Sequence, residues 1–403
     1  MIACHSTEIQ SKRLSLSARI LSASTLALSL ALTACGGGGG GTSSTTTPSL
    51  PATATYIAGA YPNSVAIDAA GNAWVANGGA GTAGTAPGNA NVMKLSPAGT
   101  VLGTYVADGA TQNQVLSIAI DRAGNVWVAT NTEVSELNAS GTMLGSYNTG
   151  SGPIGIAIDS GGNVWVANRG NGTVGIGNSD SNVVELNSSG AVLGTFDAGP
   201  YPTGIAIDAT GHVWVANSGN GTAGKAAGDS NITELDSSGG VLGTFIAGSY
   251  PAGIAIDATG NVWVANWGNG TAGNAAGDSN IMKLNSSTTL TFPVGSHPYS
   301  VAIDGAGNVW IANEGSGTPG TAAGDSNVME MSPGGTVIGT YVAGSNPLTG
   351  SPPDGMAIDG NGNVWIANTG NGTAGTATAD SKVTEFMNMG ATGVPTPLVL
   401  QPK

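Results

Sequence analysis

The chain has 403 residues, 67 of them glycine and only 8% charged, with a formal net charge of −14. An acidic, weakly charged surface excludes nucleic acid as a partner, because phosphate contacts need lysine and arginine. Two cysteines, Cys4 and Cys35, are too few for a disulfide framework.

The first 34 residues read as an export signal, with Lys12, Arg13 and Arg19 as its basic region and Ile20 to Leu32 as its apolar run. That run is about 13 residues, short of the roughly 20 that a spanning helix needs. Leu32-Thr33-Ala34-Cys35 resembles a bacterial lipoprotein signal, which implies removal of Cys4 and lipidation at Cys35. Residues 35–53, a glycine run followed by a Thr/Ser/Pro-rich stretch, lack core-forming side chains and read as a tether. The expected location is the cell envelope, on the outer membrane or the periplasmic face, with the membrane engaged through the lipid alone.

Residues 54–389 are built on one repeated unit. In Gly204 to Phe245, two short apolar runs, Ile205 to Asp208 and Val213 to Asn217, flank a glycine-containing hairpin turn. After a long small-residue loop come Ile232 to Leu235, a turn, and Val241 to Phe245, making four strands per unit. The signature Asp-x-x-Gly-Asn-x-Trp starts at Asp68, Asp121, Asp159, Asp208, Asp257, Asp304 and Asp359, with His212 in place of asparagine in the fourth copy. Spacings of 38 to 55 residues between those starts suit propeller blades and are too strand-rich for helical solenoids. The fold expected is an all-β, seven-bladed β-propeller of four-stranded antiparallel blades. Trp74, Trp127, Trp165, Trp214, Trp263, Trp310 and Trp365 would form the layer between blades. Thr55 to Pro62 copies the outer-strand segment Thr244 to Pro251 but precedes blade one, so an N-terminal strand should complete the last blade and remove its open edge. Residues 390–403 remain as a C-terminal extension.

Function is expected on the loops. Blades one and three to seven carry long second-to-third loops, whereas blade two has only Asn131-Thr132-Glu133. The Gly-x-Gly-x-x-Gly in those loops has no following helix and no βαβ unit, so it does not indicate a dinucleotide site. Asp180, Asp229, Asp278, Asp325 and Asp380 each precede serine on the same loops. One carboxylate per blade is a poor cage for calcium or magnesium, and turn capping accounts for them more simply, so no cofactor is expected. Past the signal, histidine occurs only at His212 and His297, leaving His297 and Glu314 as the sole weak candidates for acid–base chemistry. Long connections before blades two and seven, together with the short blade-two loop, outline an opening bordered by Asp108, Gln112, Asn113, Glu133 and Asp354. Trp267 stands outside the Trp pattern, near Tyr201 and Tyr250, and such aromatics suit sugars or peptides; packing beneath a neighbouring loop is the alternative.

The Pro-x-Gly-Ile-Ala-Ile-Asp and Gly-Asn-Val-Trp-Val-Ala-Asn pattern, from Thr55 to about Phe386, resembles the NHL family and, more closely, the virginiamycin B lyase-like propellers. The lyase resemblance implies a histidine and acidic constellation with magnesium near the ring centre. The second strands here end instead in Asn77, Thr130, Asn168, Asn217, Asn266, Asn313 and Asn368. The NHL resemblance implies a binding platform. The function expected is therefore a monomeric, tethered, non-catalytic platform for an extracytoplasmic protein, peptide or glycan. The alternatives are a lyase-like enzyme and a structural envelope protein.

Overall fold

The computed structural model describes residues 52–79, 90–107, 114–170, 181–219, 230–268, 279–285, 288–315, 327–342, 353–369 and 382–387. The export signal, Cys35, the long second-to-third loops and the C-terminal extension lie outside them. Seven four-stranded antiparallel sheets follow one another along the chain. Blade four comprises Pro202–Ile207, Val213–Asn217, Asn231–Leu235 and Val241–Ile246, paired in that order from the ring axis outward. Ala52–Ile57 pairs antiparallel with Lys382–Met387, placing Tyr56 opposite Val383. It is the fourth strand of the sheet that holds Pro353–Ile358 and Val364–Asn368. The N-terminal closure expected from the sequence is therefore present. Among the described residues no helix is long and apolar enough to cross a membrane.

The second strand is buried along its whole length in every blade. It is apolar on both faces because both faces are covered. Each tryptophan packs against the following blade: Trp74 lies with Val115, Val126 and Val128, and Trp365 closes the ring on Val65 and Val75 of blade one. A second tie holds each indole in place. Its Nε1 donates to the Oδ2 of the turn aspartate six residues earlier, at 3.0 to 3.3 Å in all seven blades. The same carboxylate caps the hairpin: Asp68 Oδ1 accepts from the backbone N–H of Ala70 and Asn72. The aspartates thus form the turns and also anchor the buried layer.

Each tryptophan is stacked on an outer-strand aromatic, from Tyr56 against Trp365 to Tyr341 against Trp310, with centroids 5.4 to 5.8 Å apart. At the closure seam Tyr56 lies over Gly99 of blade one, where any Cβ would overlap its ring. Gly99 also has φ of +74°, so glycine is required there twice over. Trp310→Ala should cost about 3–5 kcal/mol, the usual range for deleting a buried aromatic. Chemical denaturation would measure it, and unchanged stability would rule out the packing described.

Candidate functional site

The inner strands converge on the ring axis, and each begins at the loop-bearing end, where its first residue pairs with the last residue of the second strand, as Pro202 does with Asn217. Immediately after that pair the register slips in every blade. Such bulges bend a strand and re-aim a side chain. The residues at the slip are Asn63, Leu116, Ile154, Thr203, Ala252, Tyr299 and Asp354, and all seven line one axial cavity of about 650 Å³. Around them the repeat hardly changes; at this position no two blades agree. Adjacent inner strands come very close. A Cβ on Gly253 would lie 2.6 Å from the Tyr299 carbonyl oxygen, and one on Gly355 would lie 2.5 Å from that of Asn63, so neighbouring inner-strand backbones meet in the wall, to which each blade adds its bulge side chain.

The lining divides by chemistry. Leu116, Ile154, Thr203 and Ala252, from four consecutive blades, form a mainly aliphatic arc, while Tyr299, Asp354 and Asn63 form a polar one. Asn63 and Thr203 also tie blades together, donating to the carbonyls of Val115 at 2.7 Å and Pro251 at 2.6 Å. Arg169 joins the wall from blade three. Burial first, and the Glu314 carboxylate second, push the Asp354 carboxyl well above its usual range. The neighbouring Asp354 charge, then burial, then Glu314 raise the Tyr299 phenol, against the pull of Arg169.

The other anticipated residues fall into distinct places. Trp267 is half-buried: its Nε1 donates to Glu314 Oε2 at 2.9 Å, and its ring lies 4.2 Å from that of His297 and edge-on to Tyr250 at 6.4 Å. It packs within a cluster, the alternative reading of this aromatic, and does not stand clear as a platform. Burial raises the Glu314 carboxyl, with the Trp267 bond and the His297 charge opposing. His297 is buried, and its Nδ1 lies 2.6 Å from the Gly315 carbonyl oxygen. It shares a left-handed corner, φ 53–54°, with Tyr61, Tyr201 and Tyr250, each directly before proline. Its place in the repeat is thus that of a corner aromatic. Tyr201 is likewise buried, in keeping with the packing alternative and not with an exposed contact. Glu133 is half-buried in the short blade-two loop and is not part of the cavity wall. Asp108, Gln112, Asn113, Asp180, Asp229, Asp278, Asp325 and Asp380 lie outside the described residues.

The second-strand asparagines are fully buried and off the axis. Asn217 Nδ2 donates to Asn231 Oδ1 at 2.9 Å, joining second and third strands, and Asn77, Asn266 and Asn313 repeat that bond. Catalytic groups are therefore not to be sought at that position. Of the seven bulged residues only Asp354 was anticipated; the signal was present in the varied residue of Pro-x-Gly. Among the described residues, metal-ligand atoms converge at the opposite end, on Asp208, His212 and Glu234.

An aspartate's ordinary value is about 3.9, and Asp354 is raised well above it in the fold. The folded chain thus keeps a proton that the unfolded chain releases, and its contribution to stability is full at acid pH and lost as pH rises through the folded value. Asp354→Asn should leave the melting temperature unchanged near pH 3.5 and raise it at about pH 7.5. Calorimetry at both values checks the sign.

Models of known families match parts of the chain: the NHL repeat at residues 151–176 and 200–222, and the two component regulator propeller at 109–132. No curated protein sequence matches it significantly. Among solved structures, a streptogramin B lyase is similar at 13% identity and TM-score 0.62, over 83% of this chain and 96% of that one. Virginiamycin B lyase from Staphylococcus aureus is similar at 14% and 0.61, over 83% and 99%. An extracellular domain assigned to a hybrid two component system of B. thetaiotaomicron is similar at 15% and 0.56, over 84% of this chain and 41% of that one. At such identities the likeness establishes the fold alone, a seven-bladed β-propeller with the architecture of virginiamycin B lyase.

Proposed function

We propose that the protein is a non-catalytic binding platform held outside the cytoplasm through Cys35, and that it takes its ligand at the axial cavity of the loop-bearing end. One observation carries this: the repeat varies where its side chains line the cavity. A residue free to differ in all seven blades at a strand bulge serves recognition, since the fold places no common demand on it. The aliphatic arc and the polar arc with Asp354 suit a partner that presents an apolar group beside a hydrogen-bond donor, such as a peptide side chain or the face of a glycan.

A lyase would need a base in reach of substrate. The described lining residues include no histidine, and His297 is buried at a strand corner outside that lining, so binding without turnover has the better support. Affinity capture from the native cell envelope should retain a partner on the wild-type chain and lose it on Ile154→Asp with Asp354→Asn, provided both melt as folded proteins. Equal retention by both would remove the cavity from the interaction. Turnover of a streptogramin by the wild type would replace the platform with the enzyme.

A further inference from the structure

Blade four departs from the repeat at the end opposite the cavity, and its departures meet at one point. In blades three and six an asparagine amide bridges two carboxylates. Asn163 Nδ2 donates to Asp159 and Glu185 at 3.1 and 2.9 Å, and Asn308 Nδ2 donates to Asp304 and Glu330 at 3.1 and 3.0 Å. An amide NH₂ presents only donors there, which repel a cation. Blade four has His212 instead, with Nδ1 2.8 Å from Glu234 Oε1 and 3.9 Å from Asp208 Oδ2. A neutral imidazole nitrogen at that point is a metal ligand.

Two further features of blade four bear on the same point, the second of them its own. In blades two and six a tyrosine hydroxyl donates to the third-strand glutamate, Tyr147 to Glu136 and Tyr341 to Glu330, both at 3.0 Å. Blade four has Phe245 in that position, as blades three and five have Phe196 and Phe292, so its glutamate receives no tyrosine hydroxyl. The turn after the third strand begins with Ser96, Asn138, Asn187, Asn285 or Ser332 in other blades but with Asp236 here, and Asp236 lies near enough to feel the charge of His212.

We infer that Asp208, His212 and Glu234 bind one divalent transition-metal ion of the zinc class. Their ligand atoms already lie within 4.8 Å of one another, and bonds of 2.0–2.2 Å require separations of roughly 3–3.5 Å, a small side-chain adjustment. Asp208 Oδ1 is held by the N–H groups of Thr210 and His212 and Oδ2 by Trp214, so this ligand is pre-oriented by the turn itself. The side chains of His212, Asp208 and Glu234 are 35%, 15% and 18% exposed, leaving water to complete the coordination. The ion would clamp the first hairpin of blade four to its third strand.

The test is calorimetric titration of Zn²⁺ into the untagged full-length chain, with Cys4 and Cys35 alkylated, against His212→Asn and Glu234→Gln treated alike. His212→Asn restores the residue that the other six blades carry, so its fold should persist. The wild type should bind one more zinc equivalent than either variant, with at least about a tenfold affinity difference, the size of 1.4 kcal/mol. Zinc should raise the melting temperature of the wild type alone, while in EDTA wild type and His212→Asn should melt together. Equal zinc uptake by the wild type and either variant, or no uptake by the wild type, would overturn the site.

Discussion

The bond from each buried indole to the aspartate that opens its hairpin is the constraint on which the ring depends. One carboxylate serves two structures: one oxygen caps the turn through backbone N–H groups, and the other fixes the tryptophan that faces the next blade. Burial opposes the charge on Asp68, Asp208 and Asp257, yet the donors gathered around each outweigh it and hold these carboxyls below their usual range. A buried charge survives only with such partners. Seven repetitions give seven equivalent seams, and the Tyr56 strand supplies the aromatic that the last seam would otherwise lack.

Because the seams hold the blades, the axial positions need not be alike, although Asn63 and Thr203 also bond to the next blade. Glycines such as Gly253 and Gly355 let adjacent inner strands approach until backbone meets side-chain space, and the bulges then set one varied residue per blade against the cavity. Four corners hold an aromatic residue at positive φ before proline, a conformation costly for a bulky side chain. They give His297 and Tyr201 a shared role in the connections and place Tyr61 on the cavity rim. The two ends of the ring therefore differ in kind. At the cavity end every blade varies at one position, whereas at the turn asparagine of the hairpin end six blades agree and blade four alone departs, with His212.

The sequence by itself determined the architecture: the seven Asp-x-x-Gly-Asn-x-Trp turns, the apolar second strands and the displaced Thr55 to Pro62 segment define blade number, strand number and closure. These features are local in the chain and recur, so a pattern of short range suffices to read them. Tyr201, His297 and Trp267 could not be placed in that way. Their burial depends on the corner preceding an inner strand and on neighbours from the next blade, contacts that span about 50 residues, such as Trp267 with Glu314. Only the tertiary structure decided which repeat positions face the axis, because a one-residue slip in register reverses a strand's faces and the slip lies at Pro-x-Gly. It also brought His212 and Glu234, 22 residues apart, to 2.8 Å, since antiparallel pairing sets Trp214 opposite Glu234 and so lays the start of the second strand beside the end of the third.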